Sequence, residues 1–309
     1  MKGVVLAAGK GTRLYPITQV IAKPLLPIAN RMTLEYAFDR LKECGITEVC
    51  LVVGENEAQV RSAVGDGAAF GVTVAYARQA EPKGLAHAVG FAKDFVAGDD
   101  FVLYLGDAVY GDSLKPHVDR FRVAGCANLN LVKPVDDPRR FGVANVHGER
   151  IVKLVEKPQN PDSNLAMAGL YVFGPQIWDV LPGLRPSARG EYEITDAIQE
   201  LIDRGETVLA GVYEGAWFDT GTLDSFLETS AYLLAGGSLI GDGAVVTGEV
   251  GPNVVVGPGA QVECRSIADS VVFPGSKVRA GGQIRHCLVN GDVDASGDIE
   301  SEIVQGGLK

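Results

Sequence analysis

An apolar run near the start of the chain, Val4 to Ala8, is followed at once by Gly9, Gly11 and three cations, in MKGVVLAAGKGTRLYPITQVIAKPLLP. With no side chains at the two glycines, main-chain N–H groups can close on an anionic ligand, while Lys10, Arg13 and Lys23 supply positive charge. A phosphate-rich ligand suits this combination. Gly-Lys-Gly taken alone is equally an ordinary strand-to-loop turn with solvated cations. Asp107 closes a second apolar run, FVLYLGD. Asp219, in WFDTGT, stands just before a helical pattern where a metal ligand could sit, although a lone Asp there is more often a cap or turn residue. His87, His117, His147 and His286 read as surface or satisfied core residues.

The elements that must position these residues follow from hydrophobic patterning. The runs at Val4–Ala8 and Phe101–Asp107 have no polar face and suit strands covered on both sides. Open α/β sheets bind ligands beyond the carboxyl ends of their strands, so Gly9, Gly11 and Asp107 should face one crevice. Helical spacing marks Thr33 to Cys44, Gly84 to Val96, Ser113 to Arg122 and Glu193 to Arg204, and a last helix ends near Leu234. Strands are expected at Glu48–Gly54, Val72–Gln79, Asn128–Val135, Ala166–Phe173 and Val208–Val212, with Val143–Val146 and Ile151–Glu156 flanking a His147-Gly148 turn. The sheet expected is mixed and mainly parallel.

After Ala235-Gly236-Gly237 the pattern changes. Ile240 and Val246, then Val250, Val256 and Val262, then Val272, Val278 and Ile284 recur every six residues, with Gly, Pro and Asn between them. That describes the coils of a short β-helix, of which about three to four fit. Two domains are expected, 1–235 and 236–309.

With 309 residues and 46% hydrophobic content, the chain can bury one substantial core and a smaller second one. A net charge of −11 argues against nucleic acid as a partner and makes Mg²⁺ a natural intermediary for a nucleotide. The five cysteines show no zinc-like spacing and fit a reducing cytoplasm. No stretch reads as a signal peptide or approaches membrane-span length, so a soluble cytoplasmic protein with no membrane partner is expected.

Taken in order, LAAGKGTRLYPIT, AKPLLPI, LGD, FGV, EKP, GLY, RGEYEITD and WFDTGT resemble the sugar-1-phosphate nucleotidyltransferase family, in particular long-form glucose-1-phosphate thymidylyltransferases with a hexapeptide-repeat tail. The resemblance runs from Met1 to about Leu234 and implies a Rossmann-like α/β nucleotidyltransferase domain followed by a left-handed β-helix. It implies that Leu6, Gly9, Gly11, Thr12 and Arg13 bind the nucleoside triphosphate, Arg13 on its β- and γ-phosphates. Lys23 would contact the reacting phosphates, and Gln79 and Gly84 the base. Gly142 and Glu156 would meet sugar hydroxyls and Lys157 the sugar phosphate, with Tyr171 and Trp217 completing the pocket. Asp107 and Asp219 would hold Mg²⁺. Outside the set, Lys157 reads as a strand-end charge, Trp217 as core packing, and Gln79 as uninformative. Ala108, Pro24 and Ala168 depart from the short thymidylyltransferases, and Tyr213-Glu214-Gly215 lacks the arginine of their secondary nucleotide site.

The implied reaction joins dTTP to α-D-glucose 1-phosphate, giving dTDP-glucose and pyrophosphate. A sugar phosphate has a second pKa of about 6, so its oxygen is already a nucleophile and no general base is required. What is needed is alignment and neutralisation of charge between two anions. Uridylyl transfer from UTP, an acyltransferase activity in the tail, and a non-catalytic regulatory or scaffold role are the alternatives. A homo-oligomer assembled through the tail is also expected.

Overall fold

The computed structural model describes residues 1–307. Its main sheet has nine strands: β1 (Lys2–Leu6), β2 (Glu48–Val53), β3 (Thr73–Arg78), β4 (Phe101–Leu105), β5 (Asn128–Pro134), β6 (Gly142–His147), β7 (Arg150–Glu156), β8 (Leu165–Phe173) and β9 (Val208–Val212). They lie in the order β3-β2-β1-β4-β8-β5-β9-β7-β6. The block from β3 to β4 is parallel, as is the β5–β9 pair; β8 and the β6–β7 hairpin run antiparallel to their neighbours. The sheet is therefore mixed, in a Rossmann-like α/β arrangement. Its parallel block is apolar on both faces because both faces are covered: Val4, Val5, Phe101 and Leu103 are all 0% exposed.

Local chemistry moves several boundaries. The β6–β7 hairpin turns at Gly148-Glu149, because His147 still pairs with Arg150 and Gly148 takes the left-handed φ of 62°. The helix expected over Gly84 to Val96 is two short ones, Leu85–Gly90 and Lys93–Val96, the break following Gly90, a poor helix former. In β8 the register shifts between Met167 and Tyr171, around Gly169 at φ 78°. Such a bulge re-aims a strand, and here it lets Tyr171 pair with both Leu103 and Asn130.

The chain forms two compact units. One is Met1–Gly9 with Tyr36–Trp217; the other joins Lys10–Glu35 to Phe218 and the described residues after it. This line differs from a division at 235/236, for a physical reason. Lys10–Glu35 consists of the 3₁₀ turns Thr12–Leu14, Ile17–Gln19 and Lys23–Leu25 and the small hairpin Pro27–Ile28/Arg31–Met32. Single turns build no core of their own, so the fully buried Leu14, Ile17 and Ile28 are covered from elsewhere.

Beyond the helix Leu223–Leu234, the tail is a parallel β-helix, consistent with the left-handed form, with three columns of stacked side chains. Ile240, Val256, Val272, Val289 and Val304 form one; Val246, Val262, Val278 and Val293 a second; Val250, Ile267, Ile284 and Ile299 the third. Successive members of the first column from Ile240 to Val289 are 16, 16 and 17 residues apart, short of three sixes. Shortened corners thus explain why the six-residue spacing appears as three broken series. Among the described residues no helix is long and apolar enough to cross a membrane.

Ile284 is 1% exposed in the tail's core. Ile284→Ala should cost about 2–5 kcal/mol, read by calorimetry as a lowered transition for the second unit; an unchanged thermogram would reject the stacked-column core.

Candidate functional site

In the first unit the ends of the central strands are drawn together by bare backbone. Leu6 ends β1, and its carbonyl accepts the Gly106 N–H at 3.0 Å. A Cβ at Gly106 would stand 2.7 Å from that oxygen, so only glycine fits before Asp107. The turn carrying Asp107 is closed by the buried Tyr104 hydroxyl, which donates to the Ala108 carbonyl at 2.9 Å. Tyr171 is buried nearby; its hydroxyl is pushed far above the ordinary range by burial, with the Glu156 and Asp107 carboxylates adding to the effect. Ala168, one of the departures, accepts a hydrogen bond from the Tyr110 hydroxyl.

Gln79 and Gly84 meet as a pair. Gln79, 5% exposed, donates from Nε2 to the Gly84 carbonyl at 3.3 Å and to His87 Nδ1 at 3.0 Å. Burial and then the Lys83 cation hold His87 below its ordinary pKa, which keeps the ring neutral and able to accept. Gly84 adopts φ 107°, and a Cβ there would lie 2.5 Å from the Tyr192 carbonyl oxygen.

Gly142, Glu156 and Lys157 form the second cluster. Gly142 and Glu156 are opposed in the β6–β7 hairpin. A Cβ at Gly142 would fall 2.5 Å from Thr195 Cγ2 and 3.2 Å from Glu156 Oε2. Thr195 donates to Glu156 Oε2 at 3.1 Å; Lys157 and Arg189 approach Oε1 at 3.5 and 3.4 Å. Arg189 also meets Glu193, a buried carboxylate raised above its ordinary pKa chiefly by burial. Trp217 packs on Phe141, ring centroids 5.2 Å apart, and its indole N–H is buried with no acceptor among the described residues.

In the second unit Gly11 is at φ 65°, opening the 3₁₀ turn that Thr12 and Arg13 continue. A Cβ at Gly11 would press on Thr18 Cγ2 at 3.0 Å and Lys23 Cβ at 3.1 Å. Lys23 is buried, 9% exposed, and packs directly against that glycine. At Gly9 a Cβ would meet nothing within 4 Å, so Gly9 is not required by packing. Arg13 approaches Asp219 Oδ2 at 3.9 Å. Between them stands Gly221, where a Cβ would be 2.6 Å from an Arg13 terminal nitrogen and 2.8 Å from Asp219 Oδ1.

Gly221, Thr195 and Arg189 lie in contact with the expected site residues and were left unassigned by motif reading. Their signal was present inside WFDTGT and RGEYEITD, but spacing gives no neighbour for a glycine.

Residues 2–236 match the family described as nucleotidyl transferase. The chain belongs to that family. Low-salt glycan biosynthesis nucleotidyltransferase Agl11 of Haloferax volcanii is 39% identical over 94% of this chain and 92% of its own. Glucose-1-phosphate thymidylyltransferase of Streptomyces antibioticus is 37% identical over 99% of this chain and 93% of its own. A solved structure of UDP-glucose pyrophosphorylase complexed with UDP-glucose superposes with a TM-score of 0.70 at 26% identity, covering 76% of this chain and 98% of its own. This nucleotidyl transferase is thus of the glucose-1-phosphate thymidylyl/uridylyltransferase type.

Two glycine substitutions should behave differently. Gly221→Ala crowds only side-chain ends, so the melting temperature should stay near wild type while kcat/KM falls on the order of tenfold as Arg13 and Asp219 are displaced. Gly84→Ala meets backbone and imposes strain of about 1–3 kcal/mol, so it should lower the melting temperature as well. Equal melting losses in both variants would contradict this division.

Proposed function

We propose that the chain transfers a thymidylyl group from dTTP to α-D-glucose 1-phosphate, giving dTDP-glucose and pyrophosphate. The observation that carries the sugar is the pairing of Gly142 and Glu156, where a bare backbone lies beside a carboxylate held by Thr195. A sugar hydroxyl can donate to such a carboxylate. The unsatisfied indole N–H of Trp217 is a donor of the kind a sugar oxygen satisfies. For the base, Gln79 is an oriented amide suited to a pyrimidine edge, and the thymidylyltransferase relatives favour dTTP.

In the proposed step a phosphate oxygen of the sugar phosphate attacks the α-phosphorus. The bond from that phosphorus to the bridging oxygen breaks in line, and pyrophosphate leaves with the electron pair. Arg13 holds the β- and γ-phosphates, Lys23 neutralises charge where the two phosphates meet, and Lys157 binds the sugar phosphate. Leu6, Gly9, Gly11, Thr12 and Gly84 shape the nucleotide's surroundings, and Tyr171 supports the sugar side. Asp107 and Asp219 are hard oxygen donors of the kind Mg²⁺ takes. When bound, the ion neutralises phosphate charge.

Pyrophosphate release with dTTP, UTP and other triphosphates against a panel of sugar phosphates tests the assignment. dTTP with glucose 1-phosphate should give the highest kcat/KM, and Asp107→Asn or Asp219→Asn should lower kcat on the order of a hundredfold. A clear preference for UTP, the choice favoured by the UDP-glucose-bound neighbour, would overturn the thymidylyl assignment.

Self-association belongs to the same proposal: Ile240, Val245 and Val250 are 41%, 58% and 44% exposed on the tail's first coil. Sedimentation should return a multiple of the 32.6 kDa chain mass, and a monomer at all concentrations rejects it.

A further inference from the structure

The β-helix has no part in the chemistry above, yet within the second unit it touches both segments that carry the charged groups. One contact is at the Pro27–Ile28/Arg31–Met32 hairpin. Asn30, in its turn at φ 60°, donates from Nδ2 to the carbonyl of Val256, 3.3 Å away. Val256 is fully buried in the β-helix. Farther along, the Ile303–Gln305 strand of the last coil lies against the 3₁₀ turn Ile17–Gln19. Thr18 of that turn donates to the Gly11 carbonyl at 2.8 Å, so the coil backs the turn that shapes the glycine beside Lys23.

A second group of contacts reaches Asp219. His286, at φ 55° on a coil corner, meets Asp224 Oδ1 at 2.8 Å in the first turn of the helix Leu223–Leu234. Phe273 of the β-helix stacks on Phe226 of the same helix, ring centroids 6.5 Å apart. That helix is capped by Thr222 through a reciprocal bond with Ser225, and Asp219 and Gly221 lie immediately before the cap. Fixing the helix start therefore fixes the carboxylate.

We infer that Asn30 and His286 are positioning residues through which the β-helix sets the loop of Arg13 and Lys23 against the segment of Asp219. This rests on the nucleotidyl-transfer function proposed above. The β-helix is then a template for the triphosphate-binding groups, separate from any role in assembly. Neither residue touches substrate.

The test uses full-length variants. Asn30→Gly keeps the left-handed turn accessible and removes only the donor; Asn30→Asp sets a carboxylate against the Val256 carbonyl; His286→Ala removes the second tie. KM for dTTP should rise on the order of tenfold in the Asn30 variants and roughly threefold in His286→Ala, whose partner Asp224 is exposed, with KM for glucose 1-phosphate changed less than about twofold, because Gly142, Glu156 and Lys157 lie in the other unit. Amide exchange over Lys10–Glu35 should quicken while β1 and β4 keep their protection. Asn30→Asp should exceed Asn30→Gly, and His286→Gln, which retains a donor for Asp224, should recover most of the loss. Unchanged dTTP KM and unchanged exchange in Asn30→Gly and His286→Ala would overturn the inference. So would a general fall in melting temperature with both KM values moving together. Amide exchange needs no turnover, so a chain inactive on every substrate pair would refute the proposed reaction while exchange still decides the positioning role.

Discussion

Arg13 and Asp219 stand 3.9 Å apart with side chains 55% and 36% exposed. A pair so open to solvent contributes roughly 0–1 kcal/mol, which is too little to hold a loop in place. Its geometry must therefore be imposed by the chain around it. Gly221 contributes by having no Cβ, which would otherwise stand 2.6 Å from an Arg13 terminal nitrogen and 2.8 Å from Asp219 Oδ1.

The same device recurs with different neighbours. Gly11 yields to the Lys23 side chain, Gly84 to the Tyr192 backbone, Gly106 to the Leu6 carbonyl and Gly142 to Thr195. Where the neighbour is backbone, glycine is a condition of folding; where it is the end of a flexible side chain, glycine is a condition of geometry at the site. Activity and stability should therefore separate along this series.

Much of the architecture was legible because burial on both faces leaves a plain trace. Val4–Ala8 and Phe101–Leu105 could hardly be exposed, and the stacked columns of the tail announce themselves as repeated aliphatic residues. The broken series near Val250 and Val272 were legible as breaks but not as shortened corners, since corner length depends on backbone conformations such as Gly248 at φ 138°. The grouping of Lys10–Glu35 with the tail was hidden for a different reason. It rests on contacts such as Asn30 to Val256, 226 positions apart, and a segment of single 3₁₀ turns has no periodicity from which a buried face can be read. Glu156 and Lys157 were legible as a motif; the third partner, Thr195, was not, because nothing in ITD marks its hydroxyl as turned toward a carboxylate.

The cost of ordering an irregular segment bears on why the β-helix adjoins it. Each ordered residue gives up roughly 1–2 kcal/mol of backbone entropy, and Lys10–Glu35 has little regular hydrogen bonding to offset that loss. Leu14, Ile17, Leu26 and Ile28 bury almost completely, and that burial is available only on a surface formed by another part of the chain. The phosphate-binding role proposed for this segment asks for a loop that is both irregular, to present N–H groups and cations, and well ordered, to place them. The stack of coils meets both conditions through the contact of Ile303–Gln305 with the Ile17–Gln19 turn and through acceptors such as the Val256 carbonyl, without demanding helix or strand from the loop itself.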